Sequence, residues 1–344
     1  MIKLSFNPKQ VTKKLLKTLP ERSRSVLTKR YGIGLSSNTL TLEAIGKEYG
    51  ITRERVRQIE ENSLQSIRKS QDFSDNQEVF TELHNLIVDL GSIISEKELL
   101  DHISKNNSLR NHLHFLLVLG NEFKKLKEDD HFTHRWHVNN SVAEKIENAV
   151  RNLYKDLNKD TLISDSEITQ ALIQKLDDML PQYQKDEVVR RWLNMSKKIG
   201  RNPLGEWGRA ESPNINVKGI RDYAFLVIRR HGSPIHFREV AEQINKLFNK
   251  KAHVATCHNE LIKDSRFVLV GRGLYALTEW GYASGVVRDV IKNILIKHGP
   301  LTKEEIISKV LKERYVKENT ILVNLQNNQV FKKDRQGRYQ VAQQ

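Results

Sequence analysis

The chain has 344 residues and one cysteine, Cys257, which excludes an internal disulfide and a cysteine-based zinc site and fits a reducing cytoplasm. Apolar residues make up 38% and charged residues 29%, a balance suited to modest globular cores, and no apolar run approaches the roughly 20 residues that span a bilayer. The net charge of +15 sits at the two ends, with +9 over residues 1–70, −5 over 71–215 and +11 over 216–344, so a polyanion such as DNA is drawn to the ends.

Charge alone describes a solvated basic surface equally well. Residues 1–8 lack the apolar stretch of a secretory leader, so a cytoplasmic, nucleoid-associated protein is expected. The length predicts two or three domains at roughly 100–200 residues each, and more if they are small.

In chain order, the first clear element is a helix over Leu42–Tyr49, with Leu42 and Ile45 on its apolar face. Gly50 follows, a residue able to take the left-handed conformation of a tight corner. Thr52 suits an N-cap, and Ile51 and Val56 are placed to staple the next helix. That helix, over 53–69, divides by face. Val56, Ile59, Ser63 and Ile67 point to a core, whereas Arg53, Glu54, Arg57 and Gln58 share another face in its first two turns. Arginine matches guanine, glutamine matches adenine and glutamate matches the cytosine amino group, and a recognition helix reads with its N-terminal end. The same spacing also describes a solvated face with intrahelical pairs such as Glu54–Arg57.

The strings Leu19-Pro20-Glu21-Arg22, Arg30-Tyr31-Gly32-Ile33, Thr41-Leu42-Glu43-Ala44-Ile45-Gly46 and Thr52-Arg53-Glu54-Arg55-Val56-Arg57-Gln58-Ile59-Glu60 resemble the minus-35-binding region of sigma-70 family factors, over about residues 15–70. The resemblance implies that Thr52, Arg53, Glu54, Arg57 and Gln58 meet double-stranded promoter DNA, and that core RNA polymerase is a partner. In sigma factors this region lies at the C-terminal end; here it stands first. No aromatic-rich segment resembles the promoter-melting region, so minus-35-like recognition without melting is expected.

After residue 75 a pattern recurs. Capped helix starts fall at Ser95, Ser164, His236 and Thr302, and β-prone stretches carry Trp136, Trp207, Tyr275 and Tyr339. A period near 70 residues signals repeated supersecondary units. Each unit reads as three helices and a two-stranded wing, clearest in the third: helices over 221–231, Phe237–Phe248 and 256–263, then strands around Gly271-Arg272-Gly273. The many glycines and prolines of 200–213 blur the second. The expected architecture is mainly α, with tandem helix-turn-helix and winged-helix modules bearing short β-hairpin wings: 1–74, 75–140, 141–216, 217–282 and 283–344. Such small units need neighbours to complete their cores.

Gly232-Ser233-Pro234-Ile235-His236-Phe237-Arg238-Glu239-Val240-Ala241, His258-Asn259-Glu260-Leu261-Ile262 and the 267–277 hairpin resemble the HARE-type helix-turn-helix, over about residues 218–280. That family occurs in the delta subunit of bacterial RNA polymerase and in restriction systems. A polymerase accessory subunit, or the DNA-recognition part of a restriction system, is therefore the alternative to a promoter regulator. Arg229, Arg230, Arg238, Lys250, Lys251 and Arg272 are secondary nucleic-acid candidates, with Lys250-Lys251 also readable as a solvated loop.

No metal, cofactor or enzymatic activity is expected. His253, Cys257, His258, His236 and His231 do not supply the ligand pattern of a structural zinc site; His236 reads as a cap and His258 as packing. No phosphate-binding glycine loop and no nucleophile elbow occur. Trp192, Trp207 and Trp280 fit small cores better than base-stacking platforms.

Overall fold

The computed structural model describes residues 4–176, 183, 185–282 and 286–342. These are mainly helical, with small antiparallel sheets of two or three strands. They divide into two compact units, Met1–Arg201 with Gly205–Glu211 and Ser212–Gln344 with Asn202–Leu204.

The first unit opens with α1 (Pro8–Leu16), α2 (Glu21–Tyr31), α3 (Leu42–Tyr49), α4 (Arg53–Arg68) and the short α5 (Gln71–Ser74). Asn7 caps α1 by accepting from the backbone N–H of Lys9, and Pro8 takes the first helical position, where no N–H is needed. Pro8, Val11 and Leu15 recur at three- and four-residue spacing and, with Leu16, are buried. Helix α2 ends on Gly32 in the left-handed region, at φ 61°.

Next come α6 (Gln77–Asp89), β1 (Ile93–Ser95), α7 (Glu96–Ile103), α8 (Asn107–Leu119), β2 (Lys124–Leu126) and β3 (Arg135–His137). They are followed by α9 (Asn140–Asp156), α10 (Asp165–Gln174), α11 (Asp186–Asn194), β4 (Ile199–Arg201) and β5 (Trp207–Arg209). The second unit runs α12 (Ile220–His231), β6 (Ile235–His236), α13 (Phe237–Phe248), α14 (Val254–Lys263), β7 (Phe267–Leu269) and β8 (Leu274–Leu277). After a 3-10 turn at Thr278–Trp280 it continues with α15 (Val287–His298), α16 (Lys303–Glu313), α17 (Glu318–Leu325), β9 (Phe331–Lys333) and β10 (Tyr339–Val341).

One register recurs four times. The apolar residue just before each cap pairs antiparallel with the aromatic of the last wing strand: Ile94 with Trp136, Ile163 with Trp207, Ile235 with Tyr275 and Leu301 with Tyr339. The caps follow at once. Ser95, Ser164 and Thr302 accept from the third backbone N–H of their helices, and His236 accepts from Arg238. The two-stranded wing expected for the third unit is therefore incomplete: the sheet order is β6-β8-β7, with a third short strand ahead of the capped helix. The helix expected over 256–263 also begins two residues earlier, at Val254.

Packing couples neighbours. One core joins Leu15, Leu27 and Ile67 of the first module to Phe80, Leu113, Phe115 and Trp136 of the next. A second gathers Ile146, Ile168, Trp192 and Trp207, and takes in Ile93 and Phe132 from the preceding repeat. Repeats of this size bury little surface alone, and in the first unit these shared cores add to it.

Candidate nucleic-acid interface

Helices α3 and α4 form a helix-turn-helix whose corner is sterically specified. Thr41 caps α3 by accepting from Ala44 N–H at 3.1 Å. The helix ends on Gly50, left-handed at φ 62°. Gly46 lies so close to the corner that a Cβ there would stand 2.6 Å from the Ile51 carbonyl oxygen. Thr52 then opens α4, its hydroxyl accepting from Arg55 N–H at 3.2 Å. Val26, Ile45 and Val56 form a small buried core under the corner, with Ile51, Tyr49 and Leu42 packed against it. Tyr49 donates to Ser25 Oγ at 2.7 Å, and Tyr31 donates to Glu60 Oε1 at 2.8 Å, tying both helices to α2.

With Val56, Ser63 and Ile67 buried and Ile59 half-buried, the opposite face of α4 is free. Thr52, Arg53, Glu54, Arg57 and Gln58 are all exposed. They are brought together on the first two turns, as the spacing predicts. The face is internally paired. Arg57 donates to Glu54 through Nε and Nη2, at 2.8–3.1 Å, and to Glu61 Oε2 through Nη1 at 2.9 Å. Arg55 donates to Gln58 Oε1 at 3.1 Å. The hydrogen bonds from Arg57 hold the Glu54 carboxyl below its usual range, and Glu54, with Glu61, raises the guanidinium further. Both pairs are exposed, and solvent screens them.

Arg55 and Glu61 were not among the sequence candidates. The four-residue step from Arg57 to Glu61 is a legible ion-pair signal. The fixing of the far end of α4 carries no such signal: there Arg68 donates to the Leu119 and Val118 carbonyls.

The secondary candidates are dispersed. Arg229 is half-buried and Arg230 exposed in the last turn of α12; Arg238 is exposed in the first turn of α13. Lys250 and Lys251 lie in the loop after Asn249, and Lys250 Nζ stands 6.0 Å from the Tyr223 ring. Arg272 is exposed at the wing turn, between Gly271 and Gly273. The chain itself comes close to this turn: a Cβ on Gly271 would lie 3.0 Å from the Tyr315 carbonyl oxygen, and Arg314 Nη1 donates to the Leu269 carbonyl.

The helices equivalent to a winged helix's reading helix differ by repeat. Helix α8 packs on α1 and α2, and α11 packs on β1, where Trp192 Nε1 donates to the Gly91 carbonyl at 3.1 Å. Helix α8 is enclosed. Helix α14 keeps an outer face of Val254, Thr256, Asn259 and Ile262. His258 stacks on Phe237 at 4.2 Å, which gives it the packing role its surroundings suggested. Trp192 and Trp207 are core residues.

No helix among the described residues is long and apolar enough to cross a membrane. Residues 15–69 match the family described as sigma-70, region 4, and residues 220–280 match the HARE-HTH family, whose description includes the restriction endonuclease HTH domain. The chain is 42% identical over 59 residues to the RNA polymerase sigma factor RpoD of Neisseria gonorrhoeae, covering 17% of this chain and 9% of that protein. It is 45% identical over 60 residues to the RNA polymerase sigma factor SigA of a Bacillus species, covering 17% of this chain and 16% of that protein. The likeness thus spans under a fifth of either relative. The chain carries a sigma-70 region 4 helix-turn-helix domain at residues 15–69 and a HARE helix-turn-helix domain at residues 220–280.

Proposed function

We propose that this protein is a non-enzymatic transcription regulator that reads a minus-35-like element in duplex DNA through α4, without melting the promoter. One observation carries the reading: the outer face of the first two turns of α4 is exposed and polar, while its inner face is locked into the corner core. A helix held this way meets a major groove end-on with little ordering left to do. Arg53 and Arg57 supply paired donors for guanine, Gln58 a donor and acceptor for adenine, and Glu54 an acceptor for the cytosine amino group.

Core RNA polymerase is the proposed protein partner. The relatives matched by this segment are sigma factors named for that enzyme, and the HARE domain is a second module in the same chain. Helix α8 is enclosed by its neighbours and the exposed start of α11 carries the acidic Asp186 and Glu187, which a phosphate backbone repels, so the two middle repeats serve as a scaffold for α4 and not as further groove readers.

Selection of bound duplexes from a randomised pool tests the reading. The full chain should enrich one short motif of the length one recognition helix covers. Uniform recovery of all sequences, with binding lost in salt, would leave only nonspecific attraction.

A further inference from the structure

We propose that Glu61 is a specificity-determining residue: by holding Nη1 of Arg57, it denies that guanidinium to phosphates and reserves it for a base edge. The inference rests on the reading that α4 enters a groove.

The adjacent carboxylates of α4 have different duties. Glu60 turns inward, accepting from Tyr31 and lying 3.5 Å from Arg30 Nε, with its side chain 14% exposed. Glu61 turns outward, 55% exposed, and its ion-pair partner among the described residues is Arg57. Residues 54 and 57, and 58 and 61, are three apart, while 54 and 58, and 57 and 61, are four apart, so Glu61 stands on the proposed reading face, one turn beyond Arg57.

An arginine has five N–H donors. Three of those on Arg57 are engaged, two by Glu54 and one by Glu61. The Glu54–Arg57–Glu61 group therefore carries one net negative charge. A phosphate is an anionic acceptor and is repelled by that group. Guanine O6 and N7 are neutral acceptors, can use the remaining donors, and meet no such repulsion. Without Glu61 the group is neutral, and a long cationic side chain one carboxylate short of its clamp reaches for the nearest phosphate on any sequence. Glu61 thus acts through Arg57, as a positioning residue.

The test compares Glu61→Gln with the parent chain, each alone and in an Arg57→Ala background. Affinity is measured across a salt series on two duplexes: the site enriched from a randomised pool and a scrambled version of it. Glu61→Gln is exposed and isosteric, and an unchanged thermal midpoint shows that folding is intact. The expected result is a three- to tenfold fall, roughly, in the ratio of specific to scrambled affinity. Binding to the scrambled duplex should tighten and its salt slope steepen by about 0.9, the signature of one added phosphate contact. Both effects should vanish in the Arg57→Ala background.

An unchanged ratio overturns the proposal while leaving the α4 reading intact. So does an equal effect of Glu61→Gln with and without Arg57, which makes Glu61 a plain repulsive charge. A changed base preference at one position, with the ratio kept, makes Glu61 a base reader and also overturns it. Failure of the parent chain to enrich any site removes the α4 reading itself, and this inference with it.

Discussion

Arg68, in the last turn of α4, donates its Nε–H to the carbonyl oxygen of Leu119, the last residue of α8, at 2.9 Å; its Nη2 donates to Val118 at the same distance. A guanidinium thus closes the C-terminal end of a helix in the neighbouring module, where unpaired carbonyls and the helix dipole favour a cation. The angle at which α4 leaves the protein is set from both ends, by the Gly46 corner and by this clamp.

Arg68→Ala should lower unfolding free energy by about 1.5–3 kcal/mol, because charge-assisted hydrogen bonds to half-buried carbonyls are lost. Urea denaturation of the full chain measures it. A loss under about 0.5 kcal/mol would mean that solvent replaces the guanidinium and that the clamp is idle.

The two glycines of the corner should fail for different reasons. Gly50 has φ 62° but open space around a would-be Cβ, so Gly50→Ala should cost only the left-handed penalty of about 1–2 kcal/mol, with Gly50→Asn milder. At Gly46 the Cβ would meet a backbone oxygen at 2.6 Å, which requires α3 to move off the turn. Gly46→Ala should therefore cost more, about 2–3 kcal/mol, and displace Thr52. Amide chemical shifts of 50–58 report the displacement; equal effects at the two sites would contradict the steric argument.

Acid should weaken the first unit in a defined window. Burial pushes His114 down to about 4, aided by Lys125 and Arg30 and opposed by Glu96. Burial also lowers His112 and His137. These rings are neutral when folded and protonate more readily when unfolded, so the unfolded chain binds more protons between pH about 6.5 and 4. Stability is full above that window and is lost as pH falls through it. Urea midpoints at three pH values should decline accordingly, and His114→Gln should flatten the decline. A pH slope identical to the parent's would assign the loss to other groups.

The HARE domain depends on a buried pair. Asp222 accepts from Arg266 Nη2 at 2.9 Å and from the backbone N–H of Lys218 and Gly219, each at 3.1 Å. Arg266→Ala leaves that enclosed carboxylate with only the exposed Arg221, 4.0 Å away, as counterion and should cost about 3 kcal/mol. Hydrogen exchange of the full chain should show deprotection of α12 and β7. Unchanged protection there would mean that the two backbone donors suffice for Asp222.

Much of this was legible in the sequence. Cap residues, apolar spacing and wing aromatics are local signals, and they placed Thr52, the outer face of α4 and the period marked by Trp136, Trp207, Tyr275 and Tyr339. The strand ahead of each cap was not legible. It is one to three residues long, and Ile163 or Leu301 alone shows no alternation to detect. Nor were the tertiary choices that depend on residues far apart: Arg68 on Leu119, Tyr31 on Glu60, and the enclosure of α8. A winged helix with its third helix buried has the same periodicity as one with that helix free.

The central claim, that α4 reads base edges, is tested most directly by measuring the affinity of the parent chain and of Arg57→Ala on every single-base variant of the enriched site. The account predicts that Arg57→Ala abolishes discrimination at one base pair, by about 1–3 kcal/mol, and leaves preferences elsewhere in the site unchanged. An equal loss of affinity on all variants, with every preference intact, would contradict it.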